Sequence, residues 1–229
     1  MINVKAIAYV QSPFKEKFGI PRQAGLTPSV PAILIFEKEY SDLDAFRELE
    51  GFSHIWVTFY FHKFNYDHFQ SVVRPPRLGG NEKIGVFATR SPNRPNALGL
   101  SKVKIQKIEK SGNKVHLHVF GLDALDGTPI LDIRPFIEED SEHSASFGWT
   151  KRQIKNECYD VSFSQDALLE IEASNIPNLK NQIIEVLRLD PSPQYKETPS
   201  ESFGMNFYHF NIKWIKTAHN IHVTQLEIR

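Results

Sequence analysis

The sequence predicts a mainly β N-terminal domain, a barrel or a sandwich, followed by a smaller α+β domain. Three observations predict it. Six short strand-like segments fill the first two-thirds, frequent Pro and Gly turns separate them around one helical pattern, and helical periodicity takes over beyond residue 138. The change places a boundary near residue 150, giving domains 1–150 and 151–229.

The strand signals lie at residues 2–10, 32–36, 52–61, 84–88, 100–108 and 114–122. In the fifth, Val103 and Ile105 alternate with Lys102, Lys104 and Gln106, so one face is buried and the other basic and wet. Ser111-Gly112-Asn113 joins it to the sixth as a hairpin turn. Between the second and third segments, Ser41 as a cap, Asp44 in a capping-box position and Leu43, Phe46 and Leu49 on one face predict a helix. In the second domain Ser164 caps a helix over 165–172, and 176–188 reads as another with Pro177 in its first turn. Strands return at 206–216 and 221–228.

Charge is balanced overall, with 27 basic and 27 acidic residues, but not locally. Residues 74–114 hold ten Lys/Arg against Glu82 and Glu109, while 122–142 hold seven Asp/Glu against Arg134. The basic segment suits an anionic partner such as RNA, and equally a solvated strand face. The single Cys158 leaves no internal disulfide framework and no multi-cysteine zinc site, which points to the cytoplasm. The opening MINVKAIAYV carries Lys5 within its apolar stretch and reads as a first strand rather than a signal peptide. No uninterrupted apolar run is long enough to span a membrane.

Phosphate-loop, dinucleotide and HExxH metalloprotease motifs are absent. His116 and His118 share a strand face but have no Cys or Asp partner at metal-site spacing, so they read as a solvent-facing pair and no metal is expected. Asp123 and Asp126 in LDALDGTP suit either paired carboxylates or a strand end and turn. The most pointed stretch is VFATRSPNRPNALGLS at 86–101. Pro92 and Pro95 disfavour helix at Ser91 and Arg94, leaving an extended, pre-ordered loop. An arginine held this way loses less entropy when its guanidinium binds a carboxylate or phosphate. The loop therefore reads as a ligand loop.

GVFATRSPNRPNALGLS, with FGIPRQAGL at 18–26, FSHIWVTFYFHK at 52–63 and GLDALDGTPILDIRPF at 121–136, resembles the TsaA-like, TrmO-type tRNA (adenine-N6)-methyltransferase family. DPSPQY at 190–195 and FGMNFYHFNIKW at 203–214 resemble the extra C-terminal domain of its bacterial members. The resemblance implies a methyltransferase on a single-sheet β-barrel rather than a Rossmann fold. It also implies S-adenosyl-L-methionine as cofactor, a homodimer, and a threonine-accepting tRNA methylated at N6 of threonylcarbamoyladenosine beside the anticodon. Carried onto this chain, the cofactor residues are Pro21, Arg22, Gln23, His62, Lys63, Arg90, Leu100, Leu125, Asp126, Gly127 and Thr128. Arg94, Asn96, Asp190 and Tyr195 become the substrate-binding candidates, the last two through a proline-stiffened segment that presents an acid and an aromatic. The chain departs from the family pattern at Asn93, Ala97 and Ser192, the last where an arginine is common.

The residue chemistry is compatible with this. A sulfonium donor carries its own reactivity, so the protein mainly aligns the reacting atoms. Its carboxylate suits Arg and Lys, its ammonium or ribose an aspartate, and its adenine a leucine. N6 must lose a proton, for which His62 and Asp126 are candidates by type; no spacing rule selects a base. A non-catalytic RNA-binding protein and a methyltransferase of the same fold with another substrate are the alternatives.

Overall fold

The computed structural model describes residues 3–64, 68–75, 78, 80–142, 144–151, 159–192, 202–217 and 220–229. The strands of the first part are β1 (Ala8–Gln11), β2 (Pro31–Phe36), β3 (His54–Tyr60), β4 (Val72–Val73), β5 (Ile84–Gly85), β6 (Leu98–Ser111), β7 (Lys114–Phe120) and β8 (Pro129–Pro135). Six of them close into an antiparallel barrel in the order β1-β2-β7-β6-β3-β8, and β4 pairs with β5 apart from it. Alternation explains the closure. Along β2, β3 and β7 every second residue points inward, placing Leu34, Ile55, Val57, Leu117 and Val119 in one dry core. Each such side chain contributes about 1.5–3 kcal/mol by leaving water. Ser111 pairs with Lys114, so Gly112 and Asn113 make the tight hairpin turn the sequence signals.

The second part holds β9 (Asp160–Phe163), α1 (Gln165–Ala173), α2 (Leu179–Leu187), β10 (Ser202–Phe207), β11 (Phe210–Lys216) and β12 (Asn220–Ile228). Its sheet runs β10-β11-β12-β9, with β9 parallel to β12. Ser164 caps α1 by accepting the N–H of Ala167, as its position predicts. Trp214, Ile212, Ile183 and Leu187 form the second core. That core also takes Phe14 and Val30 from the β1–β2 connection. Phe14 forms a β-bridge to Phe207 and stacks edge-on against its ring at 5.5 Å.

Four expectations are corrected. The helix expected around residues 41–49 is a chain of short 3-10 turns, broken where Glu48 takes a left-handed φ of 67°. Ser41 does not cap it. Its hydroxyl donates to the carbonyl of Glu37 and accepts the N–H of Val115, tying this segment to β7, while Asp42 receives the N–H of Asp44. The first strand begins at Ala8, not residue 2. Residues 86–88 leave the strand for a 3-10 turn. Finally, the continuous strand expected over 206–216 is a hairpin that reverses at Tyr208, whose φ is 56°.

Candidate functional site

The strand registers bring four connections to one end of the barrel. Tyr60 of β3 opposes Leu98 of β6, Pro31 of β2 opposes Phe120 of β7, and Tyr9 of β1 opposes Pro129 of β8. The β1–β2 connection, the residues after β3, the loop before β6 and the β7–β8 turn therefore meet there. Between them lies a cavity of about 510 Å3. That is within the usual range for a small-molecule or cofactor pocket.

Of the residues expected to hold the cofactor, Pro21, Arg22, Gln23, His62, Lys63, Arg90, Leu100, Leu125 and Thr128 line this cavity. Arg94, expected to meet substrate, lines it too. Arg90 donates to the Gln23 side-chain oxygen at 2.9 Å, joining two motifs that lie far apart in the chain. Arg94 is held by the carbonyls of Thr89 (3.0 Å) and Val86 (3.3 Å), with its guanidinium 5.5 Å from the centre of the Phe87 ring. The pre-ordered loop is thus fastened by its own arginine. The floor is apolar, from Phe59, Phe61, Leu98 and Leu100. Gly99 lets the chain pass against Phe59, since a Cβ there would stand 2.3 Å from the ring.

Asp126 and Gly127 are not among the lining residues. Asp126 pairs with Lys15 at 2.9 Å and accepts the N–H of Ser12 at 2.8 Å, closing the β7–β8 turn onto the end of β1. Gly127 occupies the left-handed region at φ 74° and donates its N–H to Val10. The carboxylate that does reach the cavity is Asp123. It accepts the hydroxyl of Ser101, which also lines the cavity. Burial pushes the Asp123 carboxyl above its ordinary range, against the opposing pull of Ser101, its own N–H, Arg90 and the Ala24 N–H. Burial, then Lys63 and Lys17, hold the His62 ring below its ordinary range, which keeps it neutral at neutral pH. Asp123 and His62 are thus the carboxylate and the imidazole of the described lining. Asp123 was visible in the sequence as half of a carboxylate pair, but nothing local distinguished it from Asp126.

The remaining substrate candidates separate. Asn96 is exposed and outside the cavity lining. Asp190 is only 7% exposed, ion-paired with Lys216 at 2.7 Å, and takes the Ser192 hydroxyl. Its carboxylate faces the fold, and buried Ser192 is likewise internal rather than a surface position that has lost an arginine. Tyr195 lies outside the described residues. Exposed Phe69 and Phe87 stack with ring centres 6.1 Å apart, the second beneath Arg94 of the lining, an aromatic pair that the sequence does not single out.

Comparison with known proteins converges on one family. The tRNA-methyltransferase O N-terminal domain model matches residues 9–141, and the TrmO C-terminal domain model matches 156–229. The chain is 38% identical over 228 residues, 97% of each protein, to the tRNA (adenine(37)-N6)-methyltransferase of Escherichia coli strain K12. It is 35% identical over 218 residues to RcsF of Pseudomonas aeruginosa PAO1, a protein named for S-adenosylmethionine-dependent methyl transfer, covering 93% of this chain and 91% of that one. The crystal structure of TrmO from Pseudomonas aeruginosa matches with a TM-score of 0.80 at 28% identity, covering 99% of both chains.

Proposed function

The chain belongs to the tRNA-methyltransferase O family, and from that premise we propose how its cavity works and on what. Its activity class is that of an S-adenosyl-L-methionine-dependent tRNA (adenine-N6)-methyltransferase acting on adenine 37. One observation carries the reading. Among the described residues, four separated segments line a single cavity rich in cations, with one carboxylate, Asp123, beside apolar side chains. That donor set fits the cofactor's charged amino-acid end and its flat adenine.

Arg22, Lys63 and Arg90 are the groups for the donor's carboxylate, Asp123 for its ammonium, and Leu100 with Leu125 for its adenine. When bound, the cofactor supplies an electrophilic methyl group on a positively charged sulfur. The chain's own residues orient it, exclude water with Phe59 and Phe61, and offer His62 to receive the N6 proton. On the RNA side, Phe69 and Phe87 are placed to stack on splayed anticodon-loop bases, with Arg94 reinforcing Phe87.

The finer substrate is threonylcarbamoyladenosine in a threonine-accepting tRNA. The assembly is a homodimer in the cytoplasm, with exposed Asn96 available to a partner chain. Residues 151–229 form a domain for tRNA recognition. No helix among the described residues is long and apolar enough to cross a membrane. Incubation with methyl-labelled donor and total tRNA, followed by nucleoside analysis, tests all of this. Label is expected in N6-methylated threonylcarbamoyladenosine from threonine tRNA. Label in plain adenosine, or only in other tRNAs, overturns the finer substrate, and donor binding without transfer overturns the catalytic reading.

A further inference from the structure

β6 runs from the cavity to the far end of the barrel, and a second cluster sits at that far end. Glu109 of β6 lies directly opposite His116 of β7 in the strand register, and His118 stands two residues further along the same face. Val115, Leu117 and Val119 alternate with the histidines and fill the barrel core, so both imidazoles project outward. The ligand atoms of Glu109, His116 and His118 all lie within 4.8 Å of one another. At about 3.3 Å per residue along β6, the cluster is roughly 25 Å from Ser101 and separate from the donor cavity.

We propose that Glu109, His116 and His118 form a divalent transition-metal site of the zinc and nickel class on the outside of the barrel. The sequence offers only a His-x-His pair. The fold supplies the missing carboxylate from the neighbouring strand. One carboxylate oxygen of Glu109 already meets His118 Nε2 at 2.8 Å, while the other receives the Lys107 ammonium at 2.6 Å. Lys107 thus acts as an outer-shell partner that orients the carboxylate and leaves one oxygen toward the histidines. A simple Glu–Lys–His surface network would account for these two contacts. It does not account for His116, whose partly buried ring converges on the same point and has no hydrogen-bond partner among the described residues.

Two imidazoles and a carboxylate match the preferences of zinc and nickel rather than those of magnesium or calcium. A tetrahedral ion holds its ligand atoms about 3.3 Å apart, so closure needs side-chain adjustment of about an ångström on a rigid hairpin. Three protein ligands leave at least one position for water. The ion would join β6 to β7 through side chains as well as through their backbone ladder.

The test is calorimetric titration of metal-free full-length protein with zinc chloride and, separately, nickel chloride, paired with melting curves. One ion per chain is expected at micromolar affinity, with a rise in melting temperature. His116→Gln and His118→Gln should each weaken binding at least tenfold and abolish the rise, while His54→Gln, elsewhere on the barrel, leaves both unchanged. Equal melting temperatures without metal confirm that the variants remain folded. Absence of heat with either metal at about 100 micromolar protein, far above the expected dissociation constant, overturns the proposal. So does binding that survives both substitutions.

Discussion

Ser101 donates its hydroxyl to Asp123 at 2.5 Å, linking the first residues of β6 to the turn after β7 at the cavity wall. The pair joins two walls of the cavity, and its hydrogen bond opposes the larger effect of burial on the carboxyl. Burial raises the Asp123 carboxyl, so the folded chain holds that proton more tightly than the unfolded one. This contribution to stability is fully present below the ordinary carboxylate range and is lost as pH rises through the raised value. Donor binding should run the other way, because the ammonium needs an ionised partner. Asp123→Asn is expected to remove the acid-side rise in donor affinity and to flatten that part of the stability profile. Calorimetry and melting curves from about pH 4 to pH 7 provide the check. An unchanged affinity profile would remove Asp123 from the donor's contacts.

Arg90 and Arg94 differ in what holds them. Arg90 has the Gln23 amide as its hydrogen-bond partner, whereas Arg94 is anchored to two carbonyls of its own loop. Arg90→Ala should therefore weaken donor binding about ten- to a hundredfold, the loss for a hydrogen bond to a charged group. Arg94→Ala should loosen the loop and the Phe87 ring, lowering tRNA affinity more than donor affinity. Parallel titrations with donor and with tRNA separate the two.

Gly99→Ala tests the cavity floor. A methyl group 2.3 Å from the buried Phe59 ring cannot be accommodated without moving that ring. Overpacking of this kind costs about 1–3 kcal/mol and should lower the melting temperature by several degrees. Displacement of Phe59 toward the cavity should also reduce donor affinity. A variant with wild-type melting and binding would mean that the floor is soft.

Asp190 is expected to serve stability rather than RNA. Burial works to lower the Lys216 ammonium, but its bond to Asp190, helped by Tyr159, raises it overall. Asp190→Ala leaves that cation without its carboxylate in a mostly enclosed site. A cost of about 2 kcal/mol is expected, between the values for exposed and fully buried pairs. Denaturant unfolding measures it. Loss of tRNA affinity at unchanged stability would restore Asp190 as a substrate contact.

How much of this was legible depends on where the information lies. The barrel strands could be read because alternation is local, as in Val115, Leu117 and Val119. β8 was missed because prolines bound it, and Asp132 and Arg134 make it look like a loop. The turn at Tyr208 was missed because Phe-Tyr-His-Phe contains none of the usual turn residues, yet Tyr208 adopts a positive φ. At the site, ten of the residues named from motif resemblance line the cavity. The resemblance named Asp126, which lies outside the lining, and not Asp123, because the difference depends on Lys15 and Ser101, each distant in the chain. Glu109 joins the two histidines only through strand register, which no spacing rule conveys.

The bridge from Phe14 to Phe207 has a consequence for biosynthesis. The segment between β1 and β2 carries Pro21, Arg22 and Gln23, and it is held at Pro13, Glu16 and Ser29 by Tyr208, Asn206 and Glu185. A ribosome makes the anchored segment early and its anchors near the end. The barrel strands can pair while translation continues, but the connection between β1 and β2 waits for Glu185, Asn206 and Tyr208 to emerge. In a nascent chain the barrel strands would consequently be paired before the connection that carries Pro21, Arg22 and Gln23 is anchored.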